Sequence, residues 1–334
     1  MKKILLDSNK KFYKANLHCH STKSDGFWTV EEIKEHYKSK GYSIVAITDH
    51  EHIVDNSYLN DEDFLTITSC ELCIKEIEGV STAKNRKMKV CHLNLYAKDP
   101  HNVDTPCYSS VYDKPFLKNI GEDGVMHTCG EYKRVYSAEG INDIIKIANE
   151  KGFLVSYNHP VWSLENALTY LNYKDFWSLE IYNSDCWKCG FFEYNIGAYD
   201  DFLRTGQKIA ATACDDSHSK STAFYGFVMI NAEKLEYDTI IKALEDHNFY
   251  ASTGPAINEL YVEDGKAYLT FSGGEYAVMS TEGRRINLQK AENPDGKNTV
   301  CFDILEDDGY IRFSVADKYG HYANTNAYFL EDLQ

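Results

Sequence analysis

Histidines and carboxylates recur together at separated places along the chain. The groups are His18-Cys19-His20, Asp25, Asp49-His50, Glu71, His92, His159 and Asp216-Ser217-His218. Neutral imidazole and carboxylate are usual ligands of Zn, Mn and Fe in proteins. Residues this far apart can share a metal site only if the fold brings several segment ends together. The pattern therefore predicts a metal centre and restricts the folds that can build it.

The first two histidines are two residues apart, which is the spacing of side chains on one face of a strand. Side chains alternate along a strand, so His18 and His20 would point to the same side, with Cys19 turned away. Two such histidines alone are weak evidence for a metal. The later groups strengthen the prediction, because most of them lie at the end of a short apolar run.

Short apolar runs extend through residues 15–231, and helical patterns separate several of them. The runs are 15–18, 42–48, 64–70, 88–95, 153–157, 177–182, 207–214 and 224–230. Continuously apolar runs are typical of strands buried on both faces of a parallel sheet. Since His50, Glu71 and His159 follow or close their runs, we expect them at the carboxyl ends of strands, where the active-site loops of α/β barrels converge.

Capping residues mark several helix starts. Thr29 and Glu32 form a capping-box pair, and Ser137 and Asp238 can each begin a further helix. Strand–helix alternation predicts a parallel α/β fold, which seven or eight strands would close into a barrel.

The sequence pattern changes after Gly254-Pro255. Strand patterns and recurrent Asp-Gly turns predict a small antiparallel β-domain over residues 256–334. The expected division is therefore a catalytic domain over 1–255 and an accessory domain over 256–334.

In type and order, the metal-ligand candidates resemble the PHP (polymerase and histidinol phosphatase) family over roughly residues 13–231. The family's HxH…SDG, TDH, Glu, His, His and DxH motifs match His18/His20, Asp25, His50, Glu71, His92, His159 and Asp216/His218. The chain is most similar to the stand-alone PHP phosphoesterases. This resemblance implies a distorted (β/α)7 TIM-like barrel, three divalent metals (Mn, Fe or Zn) and hydrolysis of phosphate esters.

The resemblance also implies which residues hold each metal. His18, His20, Glu71 and Asp216 would hold one; Glu71 would bridge to a second, also held by His92 and His159; Asp25, His50 and His218 would hold the third. In the implied chemistry a hydroxide bridging the metals attacks phosphorus. Glu71, His50 and His218 are therefore the expected catalytic groups, with His50 or His218 assisting the leaving oxygen.

Neighbouring residues are expected to play lesser roles. Asp215 competes with Asp216 as a ligand, but only Asp216 has the DxH spacing to His218. We expect Asp49 to orient a ligand and His52 to lie at the rim of the site.

Four other features are less specific. Asn158 and Asn183 are candidates for the pocket, with an ordinary loop role equally open. The cysteine pairs in 70–73 and 186–189 have CxxC spacing but lack flanking ligands, so we favour buried small side chains over a structural zinc.

A long polar segment over residues 97–136 separates two of the predicted strands. Segments of this length in a compact domain are usually functional or disordered, and we favour a lid or substrate-selecting loop. Because it follows the strand that carries His92 and precedes the one that carries His159, we expect it to emerge on the catalytic face. Arg134 and Lys133 within it are candidates for binding a substrate phosphate, with a solvated loop pair as the alternative.

Composition restricts the partners. The 334 residues carry a formal net charge of −16, which argues against stable binding of duplex DNA but not against a nucleotide or short oligonucleotide. No apolar stretch has the length of a membrane span or a signal peptide, so we expect a cytoplasmic protein with reduced cysteines.

Three functions remain open from the sequence. The favoured one is metal-dependent hydrolysis of a phosphate ester of a small metabolite or nucleotide. An amidohydrolase-like enzyme that cleaves a C–N or C–O bond is the second, because the same metals would polarise a carbonyl group. The third is a non-catalytic metal-binding PHP module.

Overall fold

The computed structural model describes residues 2–120, 128 and 130–333, which form a mixed α/β structure. The strands are β1 (Lys3–Leu6), β2 (Lys11–Asn16), β3 (Ile44–Ala46), β4 (Leu65–Ile67), β5 (Ser69–Lys75), β6 (Val90–Ala97), β7 (Phe153–Tyr157), β8 (Ser178–Asn183), β9 (Ala210–Cys214), β10 (Phe227–Ala232), β11 (Phe249–Ser252), β12 (Ala256–Glu263), β13 (Lys266–Ser272), β14 (Tyr276–Thr281), β15 (Leu288–Lys290), β16 (Lys297–Asp303), β17 (Tyr310–Ala316), β18 (Tyr322–Thr325) and β19 (Tyr328–Phe329). The helices are α1 (Val30–Lys38), α2 (Ser110–Asp113), α3 (Leu117–Ile120), α4 (Ala138–Glu150), α5 (Ala167–Tyr170), α6 (Ser184–Lys188), α7 (Ile196–Arg204), α8 (Tyr237–Glu245) and α9 (Leu330–Leu333), with a 3-10 turn at Ser57–Leu59.

The helix starts follow the sequence at two of three predicted caps. Thr29 and Glu32 form the capping box of α1, and the side chain of Ser137 accepts the Gly140 N–H at the start of α4. The predicted cap at Asp238 is wrong. Glu236 precedes α8, and Asp238 lies in the first turn, where its negative charge favours the helix dipole.

The strands around the candidate ligands are only partly parallel. β2, β3 and β4 pair in parallel, as do β7, β8 and β9, but β6 is antiparallel to both β5 and β7. The expectation of an all-parallel sheet is therefore wrong at β6. No crossover helix lies between β5 and β6, and a strand that returns without one pairs antiparallel.

The strands lie in open sheets, so the predicted closed barrel is not confirmed in the part of the chain that the structure describes. β5-β6-β7-β8-β9 form one sheet, and β2, β3 and β4 end a larger sheet of order β15-β14-β17-β18-β11-β10-β2-β3-β4. Isolated parallel bridges between Cys19 and Ser217 and between His50 and Glu71 join the two sheets. Both bridges lie among the candidate ligands.

The segment after residue 255 is antiparallel, as expected. A turn at Asp264-Gly265, with φ of 50° and 74°, joins β12 to β13. Strands of this segment pair with strands from the rest of the chain, since β18 pairs with β11 and β12 pairs with β1. Leu6 and Tyr250 are buried in the same hydrophobic cluster as Leu260.

The core of the site-bearing part lies between its strands and helices. Ile141, Ile144 and Ala148 of α4 pack in the same cluster as Val155 of β7. Among the residues described, none of the helices combines the length and apolarity that crossing a bilayer requires.

Candidate metal centre

The segment after β2 brings the first two histidines together. Cys19 is bridged to Ser217 and buried in the cluster behind the site, which turns His18 and His20 to the opposite side. Their Nε2 atoms lie 3.2 Å apart, and both side chains are buried. The predicted common orientation of this pair is confirmed.

Glu71 is the third residue of β5, which continues to Lys75, so the expectation that it ends a strand is wrong. Its carboxylate contacts imidazoles from several segments. Its Oε1 lies 3.1 Å from His92 Nδ1, 3.2 Å from His159 Nε2 and 3.3 Å from His18 Nε2. Its Oε2 lies 3.1 Å from His50 Nδ1 and 3.6 Å from His20 Nε2. The two oxygens of one carboxylate thus face two different sets of nitrogen ligands, which is the arrangement that a bridging ligand needs.

Asp216 completes the buried side of the cluster. Its Oδ1 lies 3.1 Å from His18 Nε2 and 3.1 Å from His20 Nε2, yet in the described part of the chain it has no hydrogen-bond partner. A buried carboxylate oxygen that converges with two imidazole nitrogens without a hydrogen bond fits a shared cation. Asn183 donates to the other oxygen, Oδ2, at 3.0 Å.

A third set of groups faces solvent. Asp25 Oδ2 lies 3.4 Å from His50 Nε2, and Asp25 Oδ1 lies 3.5 Å from His218 Nε2. The side chains of Asp25 and His218 are 44% and 28% exposed, whereas that of Glu71 is 1% exposed. The Asp25 side of the cluster is therefore its solvent-facing side.

Several combinations of these side chains could hold a metal ion. In each set the potential ligand atoms lie within 4.8 Å of one another. The sets are His20, Asp25, His50 and His218; His18, His159 and Asp216; His18, His20 and Glu71; and Glu71, His92 and His159. All nine residues predicted from the sequence belong to at least one set.

The backbone is in an uncommon conformation at two of these positions. His159 and Asp216 have φ of 26° and 50°, in the left-handed region that side chains other than glycine rarely adopt. Glu193 holds the first of these turns, since its carboxylate accepts the Val161 and Trp162 N–H groups at 2.9 Å each. Such strain concentrates at functional sites.

Hydrogen bonds from behind orient the histidines. Glu180 Oε1 lies 3.0 Å from His18 Nδ1, and Asp49 accepts the Ser24 hydroxyl at 2.6 Å, beside His20 Nδ1. The orienting role expected of Asp49 agrees with this contact. Glu180 was missed by the sequence analysis, although a carboxylate inside the apolar run 177–182 was a usable signal.

The other neighbouring residues take distinct places. Asp215 accepts the Phe224, Tyr225 and Gly226 N–H groups and is therefore a structural residue rather than a rival ligand. Asn158 donates to Glu71 Oε1 at 2.9 Å, so it does reach the site.

The electrostatics favour ionised carboxylates. Burial raises the pKa of Glu71, but the surrounding histidines, His92 and His18 first among them, together lower it by more, so that the net pKa is well below the usual range. Burial likewise raises the pKa of Asp216 and His18 lowers it, and the net pKa is again well below the usual range. Carboxylates that stay ionised while buried are suited to binding cations.

A pocket of about 420 Å³ opens over the cluster. Ligand candidates, aromatic side chains and the end of β5 line it, including Asp25, His50, Glu71, Lys75, His92, Tyr112, Phe116, His159, Trp162, Asp216 and His218. The Phe116 ring stacks on His50 at 5.3 Å between centroids, and the Trp162 ring lies 5.3 Å from His92. The pocket is thus acidic at its base and aromatic at its walls.

The segment 97–136 reaches this pocket through Tyr112 and Phe116, but not by the expected route. It leaves β6 at Ala97, which pairs with Phe153 at the start of β7. The segment therefore begins at the end of the sheet opposite the predicted catalytic face. Residues 121–127 and 129 of this segment lie outside the described part of the chain.

Arg134 is not placed to bind substrate, and this corrects the sequence analysis. Its guanidinium is buried, where NH1 donates to Glu51 Oε2 at 2.6 Å and Nε donates to the Cys107 carbonyl at 3.0 Å. Lys133 is exposed, and it is absent from the residues that line the pocket. Arg134 therefore forms a buried ion pair, and Lys133 lies at the surface.

The expected rim position of His52 is also wrong. Its side chain is fully buried, and Nδ1 lies 3.1 Å from Asp113 Oδ1 of α2. The CxxC cysteines are free; Cys70, Cys73 and Cys186 are buried and Cys189 is exposed. Cys73 Sγ lies 3.1 Å from His92 Nε2, at the pocket wall.

The assembled residues agree with the resemblance that their order in the sequence suggests. Nine side chains of the PHP pattern, from His18 to His218, meet at one place in the structure, with Glu71 between the others.

Comparison with known proteins gives fold-level similarities. No family model matches this chain, and no curated protein matches it. A two-domain protein from Bacteroides vulgatus, described as containing a predicted PHP-like metal-dependent phosphoesterase, is 13% identical with a TM-score of 0.48, over 97% of this chain and 96% of that one.

Two further solved structures are similar to this chain over a smaller share of its length. A lesion-specific endonuclease from Pyrococcus furiosus is 15% identical with a TM-score of 0.41, over 83% of this chain and 64% of that one. An amidohydrolase from Chromobacterium violaceum is 14% identical with a TM-score of 0.37, over 62% and 88%. These three structures are 13–15% identical with TM-scores below 0.5, so the agreement with the PHP pattern lies in the assembled residues rather than in these similarities.

Proposed function

We propose that this protein is a PHP-type, metal-dependent hydrolase of phosphate esters, acting on a small metabolite or nucleotide. The observation that carries the proposal is Glu71, whose two oxygens face the histidines of different candidate metal sites. Phosphoryl transfer depends mainly on positioning and charge, and no serine or cysteine nucleophile is needed.

The proposed ligands follow the residue contacts. His18, His20, Glu71 and Asp216 hold one divalent metal; Glu71, His92 and His159 hold the second; Asp25, His50 and His218 hold the third, with His20 beside it. Bound Mn, Fe or Zn would polarise a phosphoryl oxygen and lower the pKa of water toward neutrality.

The chain's own side chains position the substrate. Phe116 and Trp162 pack beside His50 and His92 at the pocket wall, so a substrate that fills the pocket would exclude water from the cluster and strengthen its electrostatic interactions. His50 and His218 lie on the solvent-facing side, where the third metal that they would hold, or a histidine that holds no metal, would assist the leaving oxygen.

The proposed architecture is a distorted (β/α)7 ring over residues 1–255 with the β-rich segment 256–334 as an accessory unit. Support for the ring comes from the bridges Cys19–Ser217 and His50–Glu71, which connect the two sheets on both sides of β2 and β3. The reversal of β6 accounts for the distortion.

A substrate panel tests the proposal. Phosphomonoesters, phosphodiesters and acyl or amide substrates are assayed with protein loaded with Mn, Fe or Zn. We expect hydrolysis of phosphate esters and none of amides. Turnover confined to amides or carboxylic esters would favour the amidohydrolase alternative, and no turnover on any class would favour a non-catalytic module.

A further inference from the structure

Large apolar side chains are exposed on the face of the molecule that carries the metal cluster. Trp187 and Phe192 lie on the connection that leaves the carboxyl end of β8, and their ring centroids are 5.4 Å apart. Phe192 is 71% exposed, and Trp187 is exposed as well. Leu164, on the connection after β7, is a third exposed side chain. Apolar side chains that are exposed together, rather than singly, mark an interaction surface.

These side chains form one surface beside the pocket. A small cavity of about 300 Å³ is lined by Leu164, by Phe191 and by Trp162, which also lines the pocket over the metal cluster. Phe191 and Phe192 are consecutive, so the cavity continues into the pair of rings formed by Trp187 and Phe192. We call Leu164, Trp187 and Phe192 the apolar rim.

Cationic side chains reach the apolar rim from two sides. Arg86, on the connection between β5 and β6, lines the same cavity as Leu164. On the other side, Lys188 Nζ lies 4.0 Å from the centre of the Tyr225 ring, which is exposed and belongs to the connection before β10. The rim is therefore bordered by the connections before β6 and before β10.

The stretches around the apolar rim contain cations and no carboxylates. They are residues 84–89, 187–192 and 217–225, and none of the three contains Asp or Glu. Their cations are Lys84, Arg86, Lys87, Lys89, Lys188 and Lys220. Because the whole chain has a net charge of −16, this surface is positive against the trend of the sequence.

Two carboxylates of the neighbouring connections are buried instead of facing solvent. Glu165 accepts the hydroxyl groups of three tyrosines, and Glu193 accepts the backbone N–H groups of Val161 and Trp162. Neither carboxylate is therefore placed at the surface beside the cations of the rim.

An anionic membrane surface matches this combination of side chains. Lys and Arg are attracted to anionic lipids, and exposed Trp and Phe insert at the level of the headgroups. Leu164 favours a bilayer over a nucleic acid strand, because an aliphatic side chain inserts among acyl chains but offers no stacking face to a base. A second copy of the chain fits less well, since a two-fold contact would bring the same cations together.

We propose that the apolar rim and its surrounding cations bind the surface of an anionic lipid bilayer, with Trp187 and Phe192 inserted among the headgroups. The association is peripheral and reversible, because it uses side chains of connections rather than a spanning element. It is independent of what the metal cluster hydrolyses. It would hold the mouth of the pocket beside the membrane, because Trp162 lines both cavities.

Vesicle sedimentation tests the proposal with the full chain. Vesicles of phosphatidylcholine alone are compared with vesicles that contain about 30% phosphatidylglycerol, at about 0.1 M and about 0.5 M salt. We expect binding to the anionic vesicles at low salt, binding at least about tenfold weaker to phosphatidylcholine, and weaker binding at high salt. Equal binding to both compositions, or binding to neither, would overturn the proposal.

Two double variants locate the contact. Lys188→Gln/Phe192→Ser removes one cation and one apolar side chain, and its partition onto anionic vesicles should fall about tenfold or more. Arg284→Gln/Ile286→Ser is the matched control. Ile286 is 100% exposed, and both control residues follow β14 at the end of its sheet opposite the carboxyl end of β2. The control should bind vesicles like wild type.

The outcomes separate the membrane from other partners. Both double variants change exposed side chains, so their Tm values should match wild type and a loss of binding is not a loss of folding. Unchanged vesicle binding in Lys188→Gln/Phe192→Ser, or an equal loss in the control, would overturn the proposal. Binding of a single-stranded oligonucleotide that this variant loses, without any binding of vesicles, would assign the surface to a nucleic acid instead.

Discussion

Glu71 shows what single residues contribute and what the sequence leaves open. Its type and position in the motif order made it a candidate ligand, but its contacts with five imidazoles depend on three-dimensional packing. Glu180 is the converse case. A carboxylate inside an apolar run was a signal that this residue is unusual, but its partner His18 could not be predicted from local sequence.

Arg134 is the clearest correction at this scale, and it leads to a prediction about stability. Arg134→Met should lower the free energy of unfolding by about 3–5 kcal/mol, because Glu51 would be left as a buried, unpaired charge. Urea denaturation measures the effect. The double variant Arg134→Met/Glu51→Gln removes both charges and should recover part of the loss.

A different result would restore the role expected from the sequence. If Arg134→Met keeps wild-type stability and instead raises KM for a phosphorylated substrate, the guanidinium reaches substrate in solution and the buried ion pair is not its main role.

At the scale of elements, strand positions were predictable and strand directions were not. The eight apolar runs overlap β2 through β10, because burial on both faces leaves a clear sequence pattern, but the run 64–70 covers β4 and only the first two residues of β5. The reversal of β6 was not predicted, although the lack of a helical pattern between residues 75 and 90 was a physical signal for it. The route of segment 97–136 was mispredicted for the same reason.

The turn that carries His159 gives a prediction at this scale. Glu193→Ala removes the acceptor of the Val161 and Trp162 N–H groups, while water can reach the turn and replace part of this interaction. We expect a loss of about 1–2 kcal/mol in unfolding free energy. We also expect about tenfold weaker metal binding, since the turn no longer fixes His159.

Thermal denaturation and a metal titration measure the two effects. Glu150→Ala, on the exposed surface of α4, is the matched control and should change neither. Unchanged metal affinity in Glu193→Ala would mean that His159 does not depend on this turn for its orientation.

At the scale of the whole molecule, the β-rich segment is joined to the site-bearing part by strand pairing. β18 extends the sheet beside β11, and Tyr250 shares a buried cluster with Leu260, Phe313 and Ala323. The composition change at residue 255 identified the antiparallel segment. It could not reveal these pairings, because strand partners distant in sequence leave no local pattern.

Truncation tests this dependence. Protein ending at residue 255 would expose the edge of β11 and leave β1 without its partner β12. We expect it to lose cooperative thermal unfolding, or to aggregate, because an unpaired apolar strand edge is a template for association. A monomeric fragment with the Tm of the full chain would contradict the expectation and would make residues 1–255 an independent unit.

The central claim is that metals held around Glu71 carry out phosphate ester hydrolysis. The most direct measurement follows the hydrolysis of a phosphomonoester by exhaustively chelated protein as Mn is added back, in wild type and in Glu71→Gln. We predict no activity after chelation, recovery with Mn in wild type, and a loss of at least about 100-fold in Glu71→Gln, whose neutral amide cannot replace a bridging carboxylate. Full activity in the chelated protein, or wild-type recovery in Glu71→Gln, would contradict the account.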